Sequence, residues 1–127
     1  MARVLGVGGV FFKARDPGAL TAWYRDVLGL KMEDWGGTFF TPEAMAAQPG
    51  AGTVFSPFGA DTHDFAPSTK DFMINLAVDD LDGILARCAT HGVDATVSPD
   101  DSNGRFAHIL DPEGTKIELW QPKADGG

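Results

Sequence analysis

GRFAHILDPEGTKIELWQP, residues Gly104–Pro122, is the stretch whose reading decides the fold. Phe106 to Leu110 reads as a strand, Asp111-Pro112-Glu113-Gly114 as a turn, and Lys116 to Trp120 as a returning strand. Pro at the second turn position and Gly at the fourth suit a type I turn. Side chains alternate along a strand, so Ala107, Ile109, Ile117 and Leu119 share one aliphatic face that calls for a helix against it. The opposite face carries Phe106, His108, Glu118 and Trp120, an acid beside an imidazole among aromatic rings. Such a face suits a ligand cleft, although a carboxylate on the wet side of an antiparallel sheet is also ordinary.

Working outward, the hairpin closes the second of two similar halves. In the first half, Val10 to Ala14 reads as a strand, Asp16 as an N-cap and Pro17 as the first helical residue. Leu20, Trp23, Tyr24, Val27 and Leu28 follow at amphipathic-helix spacing, and Gly29 ends the helix. The second half replays this with a strand over Met73 to Val78, a cap at Asp79 or Asp80, a stripe of Leu81, Ile84, Leu85 and Cys88, and a stop at Gly92. The same interval separates Asp16 from Gly29 and Asp79 from Gly92, giving a repeat of about 60 residues, too long for a solenoid unit. Strand-like segments follow each helix: Trp35 to Thr41 and Thr53 to Phe58 in the first half, Ala95 to Val97 and the hairpin in the second.

The expected fold is therefore α+β. Two βαβββ modules, residues 1–66 and 70–127, would form a curved eight-stranded mixed sheet around a cleft, with helices outside, in a single domain of 127 residues. The segment 41–52 is Ala/Gly/Pro-rich and reads as a loop with a short helical turn. The linker 56–70 holds Asp61, His63 and Asp64, which read as a solvated turn before they read as a metal cluster. His91 sits where the helix dipole favours a cation.

Net charge is −8, with 18 acidic against 10 basic residues and no basic run. That excludes a phosphate-backbone footprint and disfavours an anionic membrane surface, so neither nucleic acid nor membrane is an expected partner. The lone Cys88 permits neither an intrachain disulfide nor a thiolate cluster. No signal peptide and no membrane span are read from the sequence, and the expected location is cytoplasmic.

Asp16-Pro17…Trp23-Tyr24-Arg25-Asp26-Val27-Leu28-Gly29-Leu30 resembles the first-helix signature of the glyoxalase/bleomycin-resistance/dioxygenase family, the vicinal oxygen chelate superfamily. Asp111-Pro112-Glu113-Gly114…Ile117-Glu118-Leu119 resembles its closing hairpin. The resemblance covers essentially the whole chain and implies paired βαβββ modules. It also implies a divalent metal held by His, Gln or Glu side chains from several cleft strands, as in the family's lyases, epimerases and dioxygenases. Carried over residue by residue, the ligand positions fall on Gly9, Thr53, Met73 and Glu118, and only Glu118 can ligate. Typical sites need three or four protein ligands, so the expectation is no cofactor, with Glu118 as the metal ligand if any ion binds.

The cleft expected from strand parity is lined by Phe11, Lys13, Thr53, Phe55, Met73, Asn75, Phe106 and Trp120, around Glu118 and His108, with Trp35 closing one rim. Three functions follow from it. The first is binding of a small apolar or aromatic metabolite or drug. The second is a lyase or isomerase of glyoxalase I type, with Glu118 and His108 exchanging protons with substrate. The third is a ligand-free interaction module; family resemblance implies a homodimer in each case.

Overall fold

The computed structural model describes residues 2–123, so the outer ends of the two expected modules, residues 1 and 124–127, lie outside the described residues. Three helices and four strands follow in the order α1 (Pro17–Leu28), α2 (Pro42–Ala46), β1 (Ile74–Ala77), α3 (Leu81–Thr90), β2 (Thr96–Val97), β3 (Gly104–Leu110) and β4 (Lys116–Pro122). The architecture is α+β, with one mixed sheet ordered β1-β4-β3-β2. β1 runs parallel to β4, and the other pairs are antiparallel.

The second half thus forms the βαβββ unit expected of it. Asp80, rather than Asp79, caps α3 by accepting from Gly83 N at 3.1 Å. Asp16 caps α1 by accepting from Ala19 N at 3.0 Å, Pro17 opens the helix, and Gly29 closes it at φ 76°. The short turn expected within 41–52 is α2, capped by Thr41.

The first half departs from expectation: among the described residues no strand precedes Ile74, and the eight-stranded sheet is a four-stranded one. Val10–Ala14, Trp35–Thr41 and Thr53–Phe58 make no strand pairing. Their alternation states which side chains would share a face, but a strand also needs a partner for its N–H and C=O groups. Glycines weaken each segment where it would pair: Gly8 and Gly9 before the first, Gly36 and Gly37 within the second, Gly50 and Gly52 before the third.

One core joins α1, α3 and the aliphatic sheet face. Leu20, Tyr24, Val27 and Leu28 of α1 meet Leu81 and Cys88 of α3 over Ala107, Ile109, Ile117 and Leu119, all buried. Burial raises the Cys88 thiol pKa, in keeping with a packed structural cysteine.

The hairpin turn is the hub of the polar contacts. Gly114 N donates to Asp111 O at 3.0 Å, and Gly114 adopts φ 83°, which favours glycine there. Buried Asp111 accepts from Glu113 N and Thr115 N through Oδ1, each at 2.9 Å, and from the Tyr24 hydroxyl through Oδ2 at 2.8 Å. Burial first, then that hydrogen bond and the Asp111 charge, push the Tyr24 phenol well above its usual pKa. The linker is tied to the same hairpin: Ser68 Oγ donates to Gly114 O at 2.6 Å, and Lys116 Nζ donates to Asp64 O at 2.7 Å and Ala66 O at 3.0 Å.

Glu113 clasps the entrance to α1, its two oxygens accepting from Asp16 N at 2.9 Å and Arg15 N at 2.7 Å. The bond from Asp16, then that from Arg15, hold its carboxyl below the ordinary carboxylate pKa. A depressed folded pKa stabilises above the unfolded value, and that contribution is lost as pH falls through the folded one. Acid titration of stability should therefore be shallower in Glu113→Gln than in the parent chain. Equal slopes of unfolding free energy against pH in the acid range would contradict this.

Candidate functional site

With Ile117 and Leu119 turned inward, parity turns Lys116, Glu118 and Trp120 to the other face, and register supplies their neighbours. His108 lies opposite Glu118, Phe106 opposite Trp120, and Asn75 beside Glu118 on the parallel side. His108 Nε2 sits 2.8 Å from Glu118 Oε2, and Asn75 Nδ2 donates to Glu118 Oε1 at 2.8 Å. Both oxygens of the carboxylate are thus engaged. An ionised carboxylate only accepts, so the proton of this contact belongs on His108 Nε2, and a neutral ring keeps its lone pair on Nδ1. The His108 and Glu118 side chains are 21% and 22% exposed, half-sheltered rather than sealed.

Beside this triad, Phe106 and Trp120 stack with centroids 6.4 Å apart and planes 9° from parallel. Trp120 Nε1 donates to Asn103 O at 2.9 Å, which fixes the indole's orientation. The face therefore combines a flat aromatic platform with an oriented acid–imidazole pair.

Of the residues expected at the cleft, the structure brings Asn75, Phe106, His108, Glu118 and Trp120 together, and Met73 precedes β1 with the parity of Asn75. It does not bring the first-half residues to them. Phe11 and Phe55 are 94% and 86% exposed, Trp35 is 70% exposed, and Thr53 is exposed as well. Trp35 belongs to a tight turn in which Glu33 N donates to Gly37 O at 2.8 Å. Lys13 lines a different groove, with Arg15, Lys70 and Glu113. The Phe11, Lys13, Thr53 and Phe55 assignments rest on parity, and that of Trp35 on its place at a rim, within segments that make no pairing, so nothing aims their side chains at the β3–β4 face. Sequence reasoning missed Asn75 as the second partner of Glu118, because the adjacency of β1 and β4 joins residues 43 apart. It also missed Thr96, which lies opposite His108 on β2.

Among the described residues no three His, Cys, Asp or Glu side chains cluster as a metal site, Asp61, His63 and Asp64 included. Glu118 and His108 offer two donors, each already turned to the other. That set does not fit the divalent ion that the family resemblance implies.

A family profile for the glyoxalase-like domain matches residues 9–120. The chain belongs to the glyoxalase-like domain family. A solved relative in fold is TnmS3, an antibiotic binding protein from Streptomyces sp. CB03234, 19% identical over 97% of this chain and 100% of that one, with TM-score 0.59. A glyoxalase/dioxygenase from Nostoc punctiforme is also 19% identical, over 97% and 99% of the two chains, with TM-score 0.52. A glyoxalase/bleomycin resistance protein from the same Streptomyces strain is 35% identical over a shorter stretch, 38% of this chain and 42% of that one, with TM-score 0.36. Comparison with curated proteins finds no match. Family membership carries the fold, whereas chemistry has to be argued from the site. Within the described residues no helix is long and apolar enough to cross a membrane.

Proposed function

We propose that this glyoxalase-like protein binds a small aromatic metabolite or drug on the β3–β4 face, without the family's usual metal. The observation that carries this reading is the stacked Phe106–Trp120 pair beside the Asn75–Glu118–His108 group. A planar ligand would extend the stack, while the carboxylate accepts a hydrogen bond or attracts a cation. The fold relative described as an antibiotic binding protein is in keeping with such a role. Titrating a panel of planar aromatic compounds against tryptophan fluorescence tests it, with Trp120→Phe as the reporter control. Saturable quenching that disappears in the control is expected. Quenching that survives in Trp120→Phe, or none across the panel, would sink the reading.

The second reading, proton transfer to or from a bound substrate, is favoured by the oriented imidazole whose Nδ1 is left as the base position. It separates from pure binding if His108→Ala retains affinity while abolishing turnover.

The proposed assembly is a homodimer. Exposed apolar side chains support it: Phe11, Phe39, Val54 and Phe55 are 70–94% exposed. Light scattering should return twice the chain mass; a monomer mass at every concentration removes this element.

A further inference from the structure

The chain has few cations for its size, and three of them meet in one place. Lys13, Arg15 and Lys70 line a groove of about 330 Å³ together with Ala14 and Glu113. Four of the cations outside the groove are engaged: Arg25 with Asp26, Arg105 with Asp82, Arg87 with the Asp26 carbonyl, and Lys116 with two linker carbonyls. Among the described residues no hydrogen bond occupies the Lys13 or Lys70 ammonium or the Arg15 guanidinium, whose side chain is 83% exposed. The nearest approach is Arg15 Nε to Glu113 Oε1 at 3.9 Å, too long for a hydrogen bond.

Glu113 is the one carboxylate in the lining, and both its oxygens are held by backbone N–H groups. Its charge leaves the groove with two net positive charges, in a molecule whose formal net charge is −8. Asp16 borders the adjoining groove, where its Oδ1 accepts from Ala19 N, and Asp71 follows Lys70 in sequence. Three cations with a single carboxylate among them leave an excess of like charge, which an anion seated between them would offset. Lys70 also lies 5.8 Å from the centre of the Phe72 ring, which in turn packs on Phe12 at 6.1 Å, so one wall of the neighbourhood is apolar.

We propose that this groove binds a small dianion of the phosphate type, gripped by Lys13, Arg15 and Lys70. Two net charges match a phosphate better than a monocarboxylate. The groove shares no residue with the Glu118 group, so the proposal stands independently of the function assigned to that face.

The test is a 1H–15N NMR titration with inorganic phosphate, with sodium chloride at matched ionic strength as reference and acetate as a second arm. Saturable shifts at the Lys13–Asp16 and Lys70 amides are expected, with a Kd of about 1–10 mM, the range of a few charge-assisted contacts on an open surface. The double variant Lys13→Gln/Lys70→Gln should weaken binding at least about tenfold while leaving the rest of the spectrum unchanged. Glu118→Gln should bind phosphate like the parent chain. Shifts that only track ionic strength, acetate binding as tightly as phosphate, a smaller loss in the double variant, or loss in Glu118→Gln would each overturn the assignment.

Discussion

Replacing Asp111 by alanine should lower the melting temperature by roughly 10–15 °C, corresponding to about 3 kcal/mol in a chain of this size. Asp111 is 4% exposed and serves three donors at once: the Tyr24 hydroxyl, Glu113 N and Thr115 N. Removing it leaves those donors without their acceptor, two of them in buried surroundings, and unsatisfied buried groups cost far more than a hydrogen bond contributes. It also unfastens α1 from the hairpin turn, because Tyr24 lies 87 positions away in sequence. Tyr24→Phe should cost less, about 1–2 kcal/mol, since it removes one donor and preserves the ring's packing against Trp23. In a double-mutant cycle read by thermal or urea unfolding, the two losses should be markedly non-additive. Additive losses, or an Asp111→Ala chain melting within about 3 °C of the parent, would show that the turn holds without this anchor.

Glu118→Gln should weaken binding of a cationic or N–H-donating aromatic ligand by about ten- to a hundredfold in the Trp120 fluorescence titration. The substitution preserves shape and leaves the core side of β4 untouched. It removes the negative charge and turns one of the two acceptor positions into a donor. Because Glu118 accepts from both Asn75 and His108, the amide cannot satisfy both as before unless the imidazole changes tautomer. A neutral ligand that only stacks on Phe106 and Trp120 should lose little. Affinities within about twofold for both ligand types would remove Glu118 from the binding face and leave the aromatic platform alone to recognise the ligand.

Much of the second half was legible before any coordinates. The Asp-Pro-Glu-Gly turn ties strand parity to a short fixed loop, so the inward set of Ala107, Ile109, Ile117 and Leu119 and the outward pairing of His108 with Glu118 follow from sequence alone. Helix α1 was equally plain, because cap, proline, apolar stripe and terminal glycine all point the same way. The cleft lining proposed from the first half was not, since Phe11, Lys13, Thr53 and Phe55 depended on parity in segments with no local turn to pin them.

What the sequence determined by itself is local: hairpin register, helix ends and the polarity of each sheet face, all set by neighbours a few residues apart. Only the tertiary structure decided that Asn75 shares Glu118 with His108, that Tyr24 anchors on Asp111, and that Lys13 lines one groove with Lys70 and Glu113. Those contacts join positions tens of residues apart. Their partners are chosen by how the strands order and the helices pack, which no short-range pattern encodes.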